Sequence, residues 1–330
     1  MSSQKPLVLV IGATGFTGQS VVTGLLKSGD FRVAALVRPS SLEKPAVKEL
    51  RASGVKIRPG DATDPADKLK EVLSGVDIIV CTIIATLIEA QRELFRIAKE
   101  VGVKRVVPND WATPGQRGVR QLHDQKLAIR DYVKEIGLDA TFIDVGWWMQ
   151  GSLPPPPHKK TPLGEWLESI YGDGHTKMLV TDLRHIGMYV ARILADPRTV
   201  NHAVIVWEDE VTQLQAHEIG EAASGEADAA RAKRKYVSAE EVRERIEQAK
   251  AAFAENPTNF AAAVALYGAE YMLSMHILGE NSLESAKRLG YLDARELYPD
   301  IPKHTLAEFA KEFYTNPTLQ AFYDRDLSQS

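Results

Sequence analysis

Residues 8–20 read VLVIGATGFTGQS, in which four apolar residues run into a turn with glycines at positions 12, 15 and 18. A pyrophosphate is held best by main-chain N–H groups at a helix N-terminus, where the helix dipole favours an anion and side chains would block approach. Glycine serves such a turn with a tight bend, a close approach and close packing of helix on strand. The apolar run predicts a strand and the pattern after it a helix, so Gly12, Gly15 and Gly18 are expected to cradle a dinucleotide. Their spacing is G-x-x-G-x-x-G rather than G-x-G-x-x-G.

Outward from this turn, short β-branched runs alternate with helical patterns. The runs are LVLVIG, RVAALVR, VKIRPGD, VDIIVCT, RVVPND and ATFIDVG, and apolar residues fall at helical spacing across 18–28, 44–53, 66–74, 86–101 and 121–136. The expected fold class is α/β, a doubly wound Rossmann sheet of parallel strands with helices on both faces, joined to a smaller, mainly helical substrate domain. After Gly146 the pattern breaks at WWMQGSLPPPPHKKTPLG, where prolines 154–157 favour an extended chain leaving the sheet and form a candidate lip of the cleft. KMLVTDLRHIGMYVARILAD and NHAVIVWE then read as strand, helix and strand, with Asp182 placed to fix a turn or helix start. The remainder is nearly all helix, with Ser238 and Glu241 spaced as a capping box. The expected division is a nucleotide-binding domain over 1–150, completed by about 176–207, and a second domain over 151–175 and 208–330.

The end of the second strand selects the dinucleotide. An acidic residue there would bind the ribose hydroxyls of NAD. The sequence instead reads ALVRPSSLEKP, with Arg38 at that place and Lys44 and Lys48 nearby. A hydrogen bond to a charged group is worth about 1.5–3 kcal/mol, enough for roughly ten- to a hundred-fold preference for a 2′-phosphate. NADPH/NADP+ is therefore the expected cofactor.

Composition narrows the partners. The 330 residues carry a formal charge of −4 and a pI near 6.1, so no uniform positive field invites nucleic acid. RAKRKY at 231–236 reads as a solvated helix end. The longest apolar run, VDIIVCTIIATLI, is shorter than the roughly 20 residues that cross a bilayer, so no membrane partner is expected. The N-terminal residues lack a secretory pattern, and a cytoplasmic location follows as an expectation. Cys81 is the only cysteine and is expected to be a buried core thiol. His123 and His158 have no paired ligand spacing, so both are expected on the surface and no metal is expected. Oligomeric state, monomer or homodimer, stays open.

The glycine spacing is the form used by extended and atypical short-chain dehydrogenases. Together with LVRPSSLEKPAVKEL, GDATD at 60–64, VPNDWAT at 107–113, HDQKLAIRDYV at 123–133 and RHIGMYVARILADPRTVN at 184–201, it makes the chain resemble the NmrA-like atypical short-chain dehydrogenases, within them the isoflavone reductase and phenylcoumaran benzylic ether reductase group. The resemblance implies that Thr14, Gly15, Phe16 and Thr17 lie in the phosphate-binding turn, Asp61 near the adenine, and Thr82 and Ile83 along the cofactor. Arg38 would meet the 2′-phosphate; the second basic contact falls near Val47, so Lys44 or Lys48 would substitute. In VPNDWAT, Asn109, Asp110 and Trp111 occupy the places of serine, glutamate and phenylalanine in the group's pattern, and the following glycine is missing. Asn109 is assigned to the cofactor side, and Asp110 and Trp111 to the substrate pocket.

Most short-chain dehydrogenases pair a tyrosine with a lysine four residues later. None of the ten tyrosines here has lysine at that position. In the resembled reductases a lysine in the helix before the sixth strand handles the proton, and Lys126 stands in its place. As a donor to a carbonyl oxygen an ammonium serves; as a base toward a phenol the amine must be neutral, which apolar walls and a cationic nicotinamide would favour. Trp111, Trp147, Trp148 and Met149 are candidate walls, with plain packing as the alternative for Trp147 and Trp148. The leading expectation is an NADPH-dependent reductase of a small aromatic, phenylpropanoid- or isoflavonoid-like substrate. The alternative is a non-catalytic NADP(H)-binding redox sensor acting through a protein partner, since fold alone does not decide.

Overall fold

A computed structural model describes residues 4–320, so the first three and last ten residues of the expected domains lie outside it. In the first half, strands β1 (Leu7–Ile11), β2 (Arg32–Val37), β3 (Lys56–Pro59), β4 (Ile78–Cys81), β5 (Arg105–Val107) and β6 (Phe142–Asp144) alternate with helices α1 (Phe16–Ser28), α2 (Pro45–Ala52), α3 (Ala66–Leu73), α4 (Gln91–Glu100) and α5 (Gln121–Glu135). Strands β1 to β5 form a parallel sheet in the order β3-β2-β1-β4-β5. A parallel bridge between Val106 and Ala140 ties its edge to β6. Order reverses after β1, leaving a crevice at the strand ends where ligands bind in such sheets.

The sheet is covered on both faces because successive side chains of a strand point to opposite sides. Val8 and Val10 join Val33 and Ala35 in one core with α1, α2 and the later helix α7 (Ile186–Ala195), whereas Leu7, Leu9 and Ile11 join Ala34 and Leu36 in another with α3, α4 and α5. Burial on both sides explains the near-continuous apolar reading of β1. Helices α1 and α7 cross at Gly24 and Gly187: a Cβ on Gly187 would lie 1.7 Å from the Ser20 carbonyl oxygen.

The chain leaves the sheet after β6 through the two-residue strand β7 (Trp147–Trp148) and α6 (Gly164–Glu168). Strand β8 (Ser169–Tyr171) follows, then β9 (Lys177–Thr181), which lies between β7 and β11 (Asp209–Thr212) in a separate sheet. Strand β10 (Ala203–Ile205) returns to lie parallel to β6. The expected strand, helix and strand after residue 176 are present, and Asp182 fixes the turn before α7 by accepting from the Arg184 N–H at 2.9 Å. Helices α8 (Gln213–Ser224) and α9 (Ala227–Arg231) lead to strand β12 (Lys235–Val237), and then to α10 (Ala239–Glu255) and α11 (Phe260–Met272). Ser238 and Glu241 form the expected capping box at α10. Helix α12 (Leu283–Arg288) precedes β13 (Leu292–Asp293), followed by α13 (Ala294–Leu297) and α14 (Leu306–Phe313).

Four expectations are corrected here. Strand β13 pairs with β10 in the three-stranded sheet β13-β10-β6, so part of the chain after 208 returns to the strands beside the nucleotide-binding sheet. RAKRKY is not merely a helix end: Arg231 and Arg234 pair with buried Glu221, and β12 pairs with β8. Prolines 154–156 are buried rather than forming a lip; the Tyr314 hydroxyl donates to the Pro154 carbonyl at 2.5 Å. His123 is buried, with Nε2 3.0 Å from the Gly115 carbonyl oxygen, because α5 turns that face inward; His158 is exposed, against Glu226. Cys81 is fully buried, and that burial pushes its thiol pKa up.

Candidate functional site

Each glycine of the opening turn has a separate steric reason. Gly12 has φ +85°, a left-handed conformation that side chains resist, and a Cβ there would meet the Thr82 carbonyl oxygen at 2.3 Å. A Cβ on Gly18 would lie 2.1 Å from the Gly12 carbonyl oxygen, so glycine lets α1 pack on the turn. Gly15 is the residue before α1, its N–H donates to the Gly12 carbonyl at 3.0 Å, and no side chain caps the helix. The N-terminus of α1 thus keeps its dipole and lacks an internal acceptor, as an anion site requires.

Beside the turn lies a cavity of about 230 Å³ lined by Gly12, Thr14, Gly15, Arg38, Asp61, Thr82 and Ile83. These are seven of the expected cofactor residues. The Arg38 guanidinium has no protein partner among the described residues. Ser41 shares its stretch of wall, whereas Lys44 caps α2 from an exposed position and Lys48 faces Glu43 at 3.5 Å. Neither lysine lines the cavity, and Val47 is fully buried. Asp61 accepts from the Thr63 N–H and hydroxyl at 2.9 and 2.7 Å, which fixes its turn.

Thr82 and Ile83 also border a second chamber, of about 170 Å³, lined by Thr17, Ala85, Asn109, Asp110, Trp111, Lys126 and Trp148. Lys126 is 8% exposed, and its ammonium donates to the Asp110 main-chain oxygen at 2.5 Å. One helical turn later, Arg130 grips both carboxylate oxygens of Asp110 at 3.1 and 3.2 Å and reaches Asp144 at 2.8 Å. The Tyr291 hydroxyl donates to Asp144 at 2.5 Å. Burial drives the Asp110 pKa upward; burial is also the largest influence on Asp144 and opposes its charge, but the attraction of Arg130 and the hydrogen bonds from Tyr291 and Arg130 together overcome it and hold that carboxyl low. Burial, then repulsion from Arg120, pushes His123 down to about 3.

The remaining expected residues scatter for simple reasons. Phe16 packs edge-on against Trp148, ring centres 6.5 Å apart, and Gly18 lies beneath the turn; neither lines either cavity. Trp111 borders the chamber while its indole N–H donates to the Cys81 carbonyl at 2.6 Å. Met149 is fully buried in the small-domain core with Leu153 and Phe309. Trp147 points away from Trp148 into a third, mostly apolar cavity of about 860 Å³, beside Trp166, Tyr171, Tyr267, Tyr271 and Met272.

The NmrA-like family model matches residues 4–310. The chain belongs to the NmrA-like family. A relative, asnovolin J 5′,6′-dehydrogenase of Aspergillus novofumigatus, is 36% identical over 92% of this chain and 94% of its own length. Isoflavone reductase of Cicer arietinum is 27% identical over 95% of this chain and its whole length. Among solved structures, an isoflavone reductase superposes with a TM-score of 0.74 at 26% identity, covering 94% of this chain and 100% of that one. The NADPH complex of leucoanthocyanidin reductase from Vitis vinifera reaches 0.76 at 23% identity over the same shares, a likeness of fold.

Within this NmrA-like chain, sequence reasoning missed Ser41, Gly60, Ala62 and Leu87 of the cavity wall, and Gln91, whose buried side chain accepts from the Asn109 N–H at 2.8 Å. Ala62 lies in the quoted GDATD, so its segment was visible although its role was not. Arg130, Asp144 and Tyr291 were also missed; folding joins them to Asp110 through Arg130.

Proposed function

We propose that this NmrA-like protein is an NADPH-dependent reductase of a small aromatic, phenylpropanoid- or isoflavonoid-like substrate, with Lys126 handling the proton. One observation carries the reading: the cavity at the glycine turn and Arg38 shares Thr82 and Ile83 with a chamber that contains a buried lysine amine. The turn fits a dinucleotide because glycine at 12 and 18 lets it close against Thr82 and lets α1 pack directly on it, and the uncapped α1 supplies the positive end of a dipole. Arg38, unpaired among the described residues, would take the 2′-phosphate, and Asp61 would sit beside the adenine.

When bound, NADPH supplies the hydride. Lys126 holds the accompanying proton at Nζ, and Thr17, Asn109 and Trp148 shape the chamber around it. Exclusion of water by these walls strengthens every charge interaction inside. The relatives named as reductases support this direction, and the 36% identical relative named as a dehydrogenase supports the same hydride chemistry run in reverse.

The test is substrate-dependent NADPH oxidation across a panel of aromatic compounds, paired with Lys126→Ala. Turnover is expected to fall at least about 100-fold, as loss of a general acid or base does, with NADPH affinity nearly unchanged. Full activity in that variant would overturn the assigned role. Absence of turnover on the whole panel together with a stable protein partner would favour the sensor.

A further inference from the structure

Asp110 offers two acceptors to two cations one helical turn apart. Its carboxylate is taken by Arg130, and only its uncharged main-chain oxygen is left for Lys126. The division has a chemical consequence. A carboxylate against Lys126 would favour the ammonium strongly and hold its proton, whereas a carbonyl orients the amine with far less bias. Arginine suits the charged half of the task, since its planar fork spans two carboxylates and is never deprotonated in proteins.

The loop carrying Asp110 is held in an unfavourable backbone state. Trp111 has φ +42°, rare for a bulky residue, and such strain persists only where the surroundings over-determine it. They do so here. The Trp111 N–H donates to Ile143, its indole N–H to Cys81, the Ala112 N–H to the Asp144 carboxylate, and the Asn109 N–H to Gln91. Asp144 keeps the Tyr291 hydroxyl as a partner besides Arg130. His123, on the same helix as Lys126, is driven neutral by burial and adds no compensating charge.

We propose that Arg130 is the positioning residue of the reaction chamber: by sequestering the Asp110 carboxylate on the strained Trp111 loop, it presents the Asp110 main-chain carbonyl to Lys126. The inference rests on Lys126 being the proton-handling group. Its readout, however, includes a measurement that needs no substrate.

The experiment compares wild type with Arg130→Met, Arg130→Lys and the double variant Arg130→Met/Asp110→Asn. Two quantities are followed: kcat and KM for a substrate found in the panel, and the rate at which trinitrobenzenesulfonate labels Lys126 at fixed pH, read by peptide mass spectrometry. In Arg130→Met the released carboxylate is expected to pair with Lys126. Labelling should slow at least tenfold and kcat fall at least tenfold, with KM and NADPH affinity within twofold. The double variant removes that carboxylate and should recover both quantities at least threefold, although it perturbs the core more. Arg130→Lys keeps the buried charge but cannot fork two carboxylates, so it should fall at least fivefold in kcat; it carries the test if Arg130→Met does not fold by circular dichroism. Folded variants with wild-type labelling and kcat would overturn the proposal, as would a double variant slower than the single. Persistent turnover in Lys126→Ala would instead sink the functional reading, while the labelling rates still report on the Asp110 clamp.

Discussion

Trp147 and Trp148 are consecutive in β7 yet line different cavities, Trp148 the lysine chamber and Trp147 the apolar cavity of the small domain. Strand geometry turns adjacent side chains to opposite faces. Trp147 packs edge-on against Trp166 at 5.5 Å and donates its indole N–H to Gly151, so it is part of the small-domain packing. Trp147→Ala is expected to cost about 3 kcal/mol in urea denaturation, the usual loss for a packed aromatic. Trp148→Ala should leave most of that stability and lower kcat/KM about tenfold by opening the chamber to water. Equal effects of the two variants on both measurements would contradict this separation.

Arg38 faces the first cavity without a protein partner among the described residues. Arg38→Ala is expected to weaken NADPH binding about ten- to a hundred-fold and NADH binding hardly at all, since only the former has the 2′-phosphate. Isothermal titration with both dinucleotides measures this directly; parallel losses would assign Arg38 to general electrostatics.

Gly187 is a packing requirement with no role at the chamber. Its N–H donates to the Ser20 hydroxyl at 2.9 Å, and a Cβ would overlap the Ser20 carbonyl at 1.7 Å. Gly187→Ala should force α1 and α7 apart and destabilise the fold by at least about 3 kcal/mol. A midpoint of thermal unfolding unchanged from wild type would show that the crossing yields without cost.

Three buried histidines make stability fall in acid. Burial pushes His123 down to about 3, His217 to about 4 and His276 to about 3. Below the unfolded value of about 6.5 the unfolded chain takes up protons that the folded chain refuses, so the stabilisation is complete above that pH and is lost as pH falls. Each such group contributes a slope of up to about 1.4 kcal/mol per pH unit. His185 acts oppositely: its hydrogen bond to Glu208 raises its pKa, so its contribution is present below about 6.5 and fades above. Urea titrations between pH 7.5 and 5 should therefore show falling stability, with a shallower slope in His217→Gln. An identical slope in that variant would exclude His217 from the effect.

The periodic segments were legible in the sequence because each is decided locally. β1 reads as a continuous apolar run since both its faces are covered, and α10 begins where Ser238 and Glu241 satisfy each other's backbone. The family resemblance was legible too, because several motifs stand in order along the chain, and the match over residues 4–310 agrees with it. His123 was misplaced because its helix has two covered faces; a lone polar residue carries no signal of which neighbour will bury it. Lys44 was chosen from charge and nearness in sequence, but the turn after Arg38 directs Ser41 to the cavity instead.

By itself the sequence determined the strand and helix alternation and the glycine turn, since these depend on sterics and hydrogen bonding within a few residues. Only the tertiary structure decided which cation holds which oxygen of Asp110. Residues 110, 130, 144 and 291 come from separate elements, and burial couples their charges only after the sheet has assembled them. The same holds for β13, whose two residues become a strand because β10 offers an open edge. Local pattern specifies what each segment can become; low-dielectric contact between distant segments fixes what the assembled site can do.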